Sequence, residues 1–287
     1  MGIGMLFVFL NLLSHQAEGM LVKHYGRKHD KGGMFFSAIM CLFAMIYFFI
    51  SDKGGLQFPK GIVVLGLINS TMYAIGFYAG YMAFKTGSFG LTRLFTSFGI
   101  IISTLYGIVF LHEPASALMF VAIALILLSL FLINYTPTES NQQKISMKWI
   151  LAVVSIIISN SAIAIIGRVQ YGLFDNTYKN EFLIISFAGA IFFLVLFGLI
   201  FERDCLKPVM KYGVLYGGIA GIFNGISNVL TLITYKYLPI SITSPARAGL
   251  GITLSFITSI LIYRESFNKR QFAGAAIGIL AVVLMNL

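Results

Sequence analysis

Apolar residues run along this chain in stretches of spanning length at roughly 3–22, 33–51, 61–84, 88–111, 115–134, 147–168, 181–201, 212–236, 240–263 and 270–286. About 20 mostly apolar residues cross a bilayer as a helix, so the pattern predicts an all-α integral membrane protein of ten transmembrane helices. The one stretch that reads as a linker is TPTESNQQKIS, residues 136–146, which is polar and without periodicity. It divides the chain into 1–135 and 147–287, five helices each. The halves also resemble each other. Phe84-Lys85 and Tyr235-Lys236 close the third helix of each half, and Glu113 and Glu265 each follow an apolar run. Five is odd, so the second half must enter the membrane upside down, giving two inverted five-helix repeats with a site expected at their interface.

Composition removes other classes. With 58% apolar and 10% charged residues and a mean hydropathy of +0.90, no soluble domain fits between the runs. The net charge of +10 sits in short loops between apolar stretches, the pattern of cytosolic loops facing anionic lipid, and so speaks against nucleic acid. Lys and Arg number thirteen on the face of Lys85 and the 23–31, 144–148, 203–211 and 264–270 loops and five on the other, Arg168 among the five, which places both termini outside. Cys41 and Cys205 have no metal or disulfide spacing and read as free thiols, and no cofactor is expected. The first segment lacks a basic leader and a small-residue cleavage site, so it is expected to be retained as a helix.

Ionisable groups inside the bilayer cost about 2.5–3.5 kcal/mol each at the helix centre, which makes them functional candidates. Arg93 lies about one and a half turns into the fourth run, and Arg247 lies at similar depth in the ninth, two residues after Pro245. Entering from opposite sides, they could clamp a carboxylate or phosphate, or simply snorkel to the interface. His15 and Glu18 share a face of an unusually polar first helix, NLLSHQAEG, as a proton-coupling pair or as a structural ion pair of Glu18 with an arginine. In the eighth run Asn224, Ser227, Asn228 and Thr231 form a polar stripe beside Gly213, Gly217, Gly221 and Gly225. Asn69, Tyr73, Gly76 and Gly80 form the matching stripe of the third run, and Ser97 and Tyr78 are weaker additions. Two such stripes could line one cavity, or make ordinary interhelical hydrogen bonds worth about 0.6 kcal/mol each.

His112-Glu113-Pro114 lacks a second His at i+4 and so offers no metal site; Glu113 reads instead as complementing the N-terminus of the next helix, with Glu265 doing the same before the tenth. There is no phosphate-binding loop and no nucleophile elbow, which argues against an enzyme. The charged segment KHYGRKHDK, 23–31, is the one place where a membrane enzyme acting on lipid-linked substrates could gather side chains, and it reads better as a lipid-facing anchor.

The stretches GIIISTLYGIVFLHEPASALMFVAIALILLSLFLIN (99–134) and GITLSFITSILIYRESFNKRQFAGAAIGILAVVLMN (251–286) resemble the C-terminal part of the EamA repeat of the drug/metabolite transporter superfamily. The resemblance implies a bacterial inner-membrane carrier working by alternating access around a central cavity. It also implies both termini in the cytoplasm, against the loop charges. The expected function is secondary active transport of a small polar metabolite, amino-acid-like or an organic anion. The alternative is export of organic cations by proton antiport through Glu18, and a scaffold without cargo is a third reading. The expected partners are the substrate, the lipid bilayer and a coupling proton or ion, with the protein a monomer or homodimer.

Overall fold

The computed structural model describes residues 2–29, 31–52, 54–86, 92, 96, 99–113, 116–134, 146–175, 177–244, 246–247, 250–251, 254 and 269–285. Among these the regular structure is entirely helical: α1 (Gly2–Lys28), α2 (Gly33–Ser51), α3 (Lys60–Thr86), α4 (Gly99–Phe110), α5 (Ala117–Asn134), α6 (Met147–Phe174), α7 (Lys179–Phe201), α8 (Leu206–Thr234) and α9 (Lys269–Met285), with a 3₁₀ turn at Arg203–Cys205. Six of these helices, α1, α2, α3, α6, α7 and α8, are long and apolar enough to cross a membrane, so the chain is a multi-pass membrane protein. Residues 240–244 are also helical, where the ninth run was expected; most of 245–268 lies outside the described residues.

Local chemistry explains several of the ends. The Ser146 hydroxyl accepts the Trp149 N–H at 3.1 Å and starts α6. Asp175, left-handed at φ 44°, stops it. That stop comes seven residues after Arg168, which therefore sits inside α6 and not in the loop where the charge count had put it. Gly32, at φ 93°, turns the chain between α1 and α2.

The packing crosses the two halves of the chain. α1 lies against α8 and α6 against α3; α2 lies against α8 and α7 against α3; α2 packs on α7, and α5 on α9. α2 and α8 approach each other closely. A Cβ at Gly221 would collide with the Met40 carbonyl oxygen, and one at Gly217 would stand 3.0 Å from the Ile39 side chain. The glycines beside the polar stripe of α8 thus let it pack closely on α2. The α2, α3 and α7 contacts share an aromatic cluster in which the Phe187 ring lies 4.5 Å from Tyr73 and 5.2 Å from Phe48. All three rings are buried, which fixes the Tyr73 ring in place and leaves its hydroxyl to find a polar partner.

Candidate functional site

The Tyr73 hydroxyl, carried by α3, donates to Asn228 Oδ1 on α8 in a short hydrogen bond. Asn228 Nδ2 in turn donates to Asn224 Oδ1 at 2.8 Å, and Asn224 Nδ2 donates to Glu18 Oε1 on α1 at 2.9 Å. The other Glu18 oxygen lies 2.9 Å from His15 Nδ1. Four polar groups from three helices thus form one chain in which the donors of the Tyr and both Asn all run toward the carboxylate. Such a chain polarises cooperatively in a low-dielectric interior and holds a buried charge without a cation at full pairing distance on both oxygens. The Glu18 side chain is only 9% exposed while that of His15 is 41% exposed, so the network reaches from the interior to an accessible end.

One turn along the same seam, Asn11 Nδ2 donates to Ser227 Oγ at 2.9 Å and to Thr231 Oγ1 at 2.8 Å. Ser227 and Thr231 are therefore engaged with α1, as are Asn224 and Glu18. Asn11 was not a candidate from sequence, although it belongs to the same polar run of α1 as His15 and Glu18; its position one turn before His15 was the available signal. The expected ion pair of Glu18 with an arginine does not form among the described residues, because His15 and Asn224 occupy its oxygens.

Asn69 is not brought to this network. It is fully buried and donates to Ser186 Oγ on α7 at 3.1 Å. Gly76 faces α6, where a Cβ would come 3.2 Å from that of Ser159, and Gly80 looks onto open space. Of the α3 stripe, then, Tyr73 alone joins the α8 stripe. Arg93 and Ser97 lie outside the described residues. Arg247 is half-buried, interacts electrostatically with the Tyr73 and Tyr235 hydroxyls, and has no ion pair among the described residues.

A second polar centre was missed from sequence. Glu113 was expected to face the start of α5, yet its Oε2 accepts the backbone N–H of Ser241 at 2.8 Å and its Oε1 that of Ile240 at 3.2 Å, at the start of the helical residues 240–244. Arg168 meets the same carboxylate with Nε at 3.1 Å and Nη2 at 3.0 Å, and donates from Nη1 to the Tyr235 carbonyl at 3.1 Å. His112, left-handed at φ 51°, is the turn that swings Glu113 away from α5. The helix start is complemented by a carboxylate as expected, but it is the start of a helix in the other half of the chain.

A cavity of about 400 Å³ opens between α3, α6 and α7, lined by Tyr78, Met82, Lys148, Ser155, Phe193 and Phe197 among others. Its walls are nearly all apolar, and none of the network residues around Glu18 lines it. It can take hydrocarbon and offers little to a polar solute. Among the described residues no cluster of His, Cys, Asp and Glu could hold a metal.

The sequence signature of the family described as "Sugar transport protein" matches residues 16–287, nearly the whole chain. The chain belongs to this family. It is a membrane transporter, and transporters of this kind are usually not enzymes. A Listeria monocytogenes protein named for sugar uptake is 22% identical over 233 residues, 79% of this chain and 79% of its own length. Quaternary ammonium compound-resistance proteins match shorter stretches: one of a Staphylococcus sp. is 34% identical over 62 residues, 22% of this chain, and one of Staphylococcus saprophyticus is 40% identical over 53 residues, 18% of this chain. The match covers 58% and 50% of those two proteins. A solved structure superimposes with a TM-score of 0.74 at 12% identity, over 99% of this chain and 96% of its own, which shows a shared fold.

Proposed function

We propose that this transporter is a secondary carrier that moves a sugar or a similarly small, hydroxylated metabolite by alternating access across the bacterial inner membrane. The observation that carries the reading is the Tyr73–Asn228–Asn224–Glu18 chain where α1, α3 and α8 meet. Amides and hydroxyls that already bond one another can exchange those bonds for the hydroxyls of a solute at little net cost. The family description and the Listeria protein named for sugar uptake support a sugar as cargo.

The architecture behind this reading is ten helices in two inverted repeats, 1–135 and 147–287, joined by 136–146. The packing supports it through its exchange symmetry. Swapping α1 with α6, α2 with α7, α3 with α8 and α5 with α9 turns each main helix contact into another observed one. The swap of α4 with the segment from 240 agrees as well: α4 packs on α6, and Val8 and Leu12 of α1 cluster with Ile242 and Leu250. The EamA-like stretches 99–134 and 251–286 fit the same plan within the drug/metabolite transporter superfamily.

The substrate site comprises Tyr73, Asn224, Asn228, Ser227 and Thr231, with Asn11 added, Arg247 beside Tyr73, and Arg93 and Ser97 kept from the sequence; Asn69, bonded to Ser186, is assigned to packing. The Arg247 guanidinium could pair with a carboxylate on the cargo, which keeps an organic anion or an amino acid within the class. His15 and Glu18 are the coupling pair, with a proton as the coupling ion. A second reading is export of organic cations by proton antiport at Glu18; the quaternary ammonium compound-resistance relatives favour it. The protein works in the membrane as a monomer or homodimer, with lipid and substrate as its partners.

Thermal unfolding of the purified protein against sugars, sugar acids, amino acids and quaternary amines separates the readings. A ligand at 100 times its dissociation constant adds about 2.7 kcal/mol of stability. Stabilisation by sugars that is lost in Asn228→Ala supports the carrier of hydroxylated solutes. Stabilisation by quaternary amines that is lost in Glu18→Gln selects the second reading. Wild-type cellular uptake in Asn224→Ala, Asn228→Ala and Arg247→Gln at matched expression would end the proposed site.

A further inference from the structure

Glu113 and Arg168 join parts of the chain that nothing in the sequence places together. Glu113 belongs to the turn after α4, in the first half. Arg168 is on α6, the Tyr235 carbonyl ends α8, and the Ile240 and Ser241 amides begin the next helical segment, all in the second half. Glu113 is buried and Arg168 half-buried, with side chains 5% and 18% exposed. It lies at the membrane face on which α2, α4, α6 and α8 end. We propose that the Glu113–Arg168 ion pair is the latch of a gate at that face, closed in this structure and released when the two halves part there.

The seam beneath the latch has the composition of a surface made to open. Ser103 on α4 donates to Ser244 Oγ at 2.9 Å, one hydroxyl against another. Between that contact and the latch stands Gly107, where a Cβ would come 2.6 Å from both Glu113 Oε2 and the Ile240 side chain. The Ser241 hydroxyl is buried there with no hydrogen-bond partner among the described residues. Parting these groups exposes hydroxyls, amides and a glycine to water, and gives Ser241 the partner it lacks in the closed form. The α2–α8 seam differs: Gly221 sits directly on the Met40 backbone amid apolar, largely aromatic side chains, so separation there would wet apolar surface.

The position of the pair near helix ends also matters. Once parted, each ion meets interfacial water, whereas a pair broken at mid-bilayer would leave two charges in hydrocarbon. The latch is linked to helix motion through the Glu113 N–H, which returns to the Gly107 carbonyl at 3.1 Å. The carboxylate is thereby carried by the end of α4, so a tilt of α4 withdraws it from Arg168 and from the amides of 240 and 241 together. The Arg168 guanidinium also lies 5.0 Å from the centre of the Tyr171 ring, one turn along α6, which keeps a resting place for the cation on its own helix.

This proposal rests on the alternating-access reading, and its test needs no cargo. Ser103→Cys in a Cys41→Ala/Cys205→Ser background, in lipid nanodiscs, is exposed to a water-soluble maleimide, with Ala44→Cys in the α2–α8 seam as a control reporter. Glu113→Gln and Arg168→Gln are expected to speed labelling at position 103 about tenfold, as when a minor open state rises from about 1% to about 10%. Labelling at position 44 should stay at the parent rate. Gly107→Ala keeps both charges but displaces the carboxylate, and should speed labelling at 103 even if the charge variants fail to fold. An unchanged rate at 103 in the variants that fold overturns the latch, and so does an equal rise at 44, which would make the pair a general support of the fold. A chain that opens at 103 in this way yet carries no solute would refute the transport reading and leave the latch standing.

Discussion

Glu18 and Glu113, two of the buried carboxylates among the described residues, solve the same problem in opposite ways. Glu113 is saturated: an arginine and two backbone amides of a helix start converge on it. Glu18 is held by one asparagine and one histidine, with two further neutral groups feeding the asparagine. A saturated ion pair has one low-energy arrangement and gives a two-state contact, made or broken. A chain of amides and hydroxyls has many arrangements of similar energy and can accept a solute as a new member. The first suits a latch and the second suits a site, and both lie where the two halves of the chain meet.

The sharpest way to break the comparison is to take away one member of the ion pair. Arg168→Leu leaves Glu113 buried with amides alone and should cost about 3–5 kcal/mol of stability, read as a large fall in the thermal midpoint in detergent. Glu18→Gln, by contrast, keeps its hydrogen-bond partners and should lower the midpoint far less. Equal falls in both variants would erase the distinction. Next in size, Gly221→Val places a branched side chain against the Met40 backbone and should cost about 1–3 kcal/mol, with Gly80→Ala, which meets open space, near neutral by the same measurement. Asn224→Ala removes the link between Glu18 and Asn228 and should cost about 1–3 kcal/mol of stability together with most of the uptake activity, measured at matched expression. Asn69→Ala breaks one interhelical bond to Ser186; it should cost about 0.6 kcal/mol and leave uptake near the wild-type level. A large loss of uptake there would return Asn69 to the substrate site.

Much of the fold was legible because a bilayer leaves the backbone few options. The runs at 33–51 and 181–201 match α2 and α7 closely. The boundary of α6 was harder. An arginine at 168 looked like a loop residue, yet the helix continues to Phe174, since Glu113 makes the cation tolerable there. The α8 stripe was visible in its spacing, and its members do face inward, but its partner on α1 had to be seen: Asn11 bonds Ser227 across 216 positions of chain. The α3 stripe was read as one surface, and packing split it, sending Tyr73 to α8, Asn69 to α7 and Gly76 to α6.

What the chain declares by itself is local. The apolar length of each run and the polar break at 136–146 follow from how each segment satisfies its own backbone hydrogen bonds in hydrocarbon, and that requirement involves no distant residue. Which charge meets which is a different matter. Glu113 could have faced α5 from the same turn, and only the approach of α6 and of residues 240–241 brought it a guanidinium and two free amides. A buried ion takes whichever arrangement leaves the fewest of its bonds unmade, and that choice depends on helices brought together by packing across the whole chain.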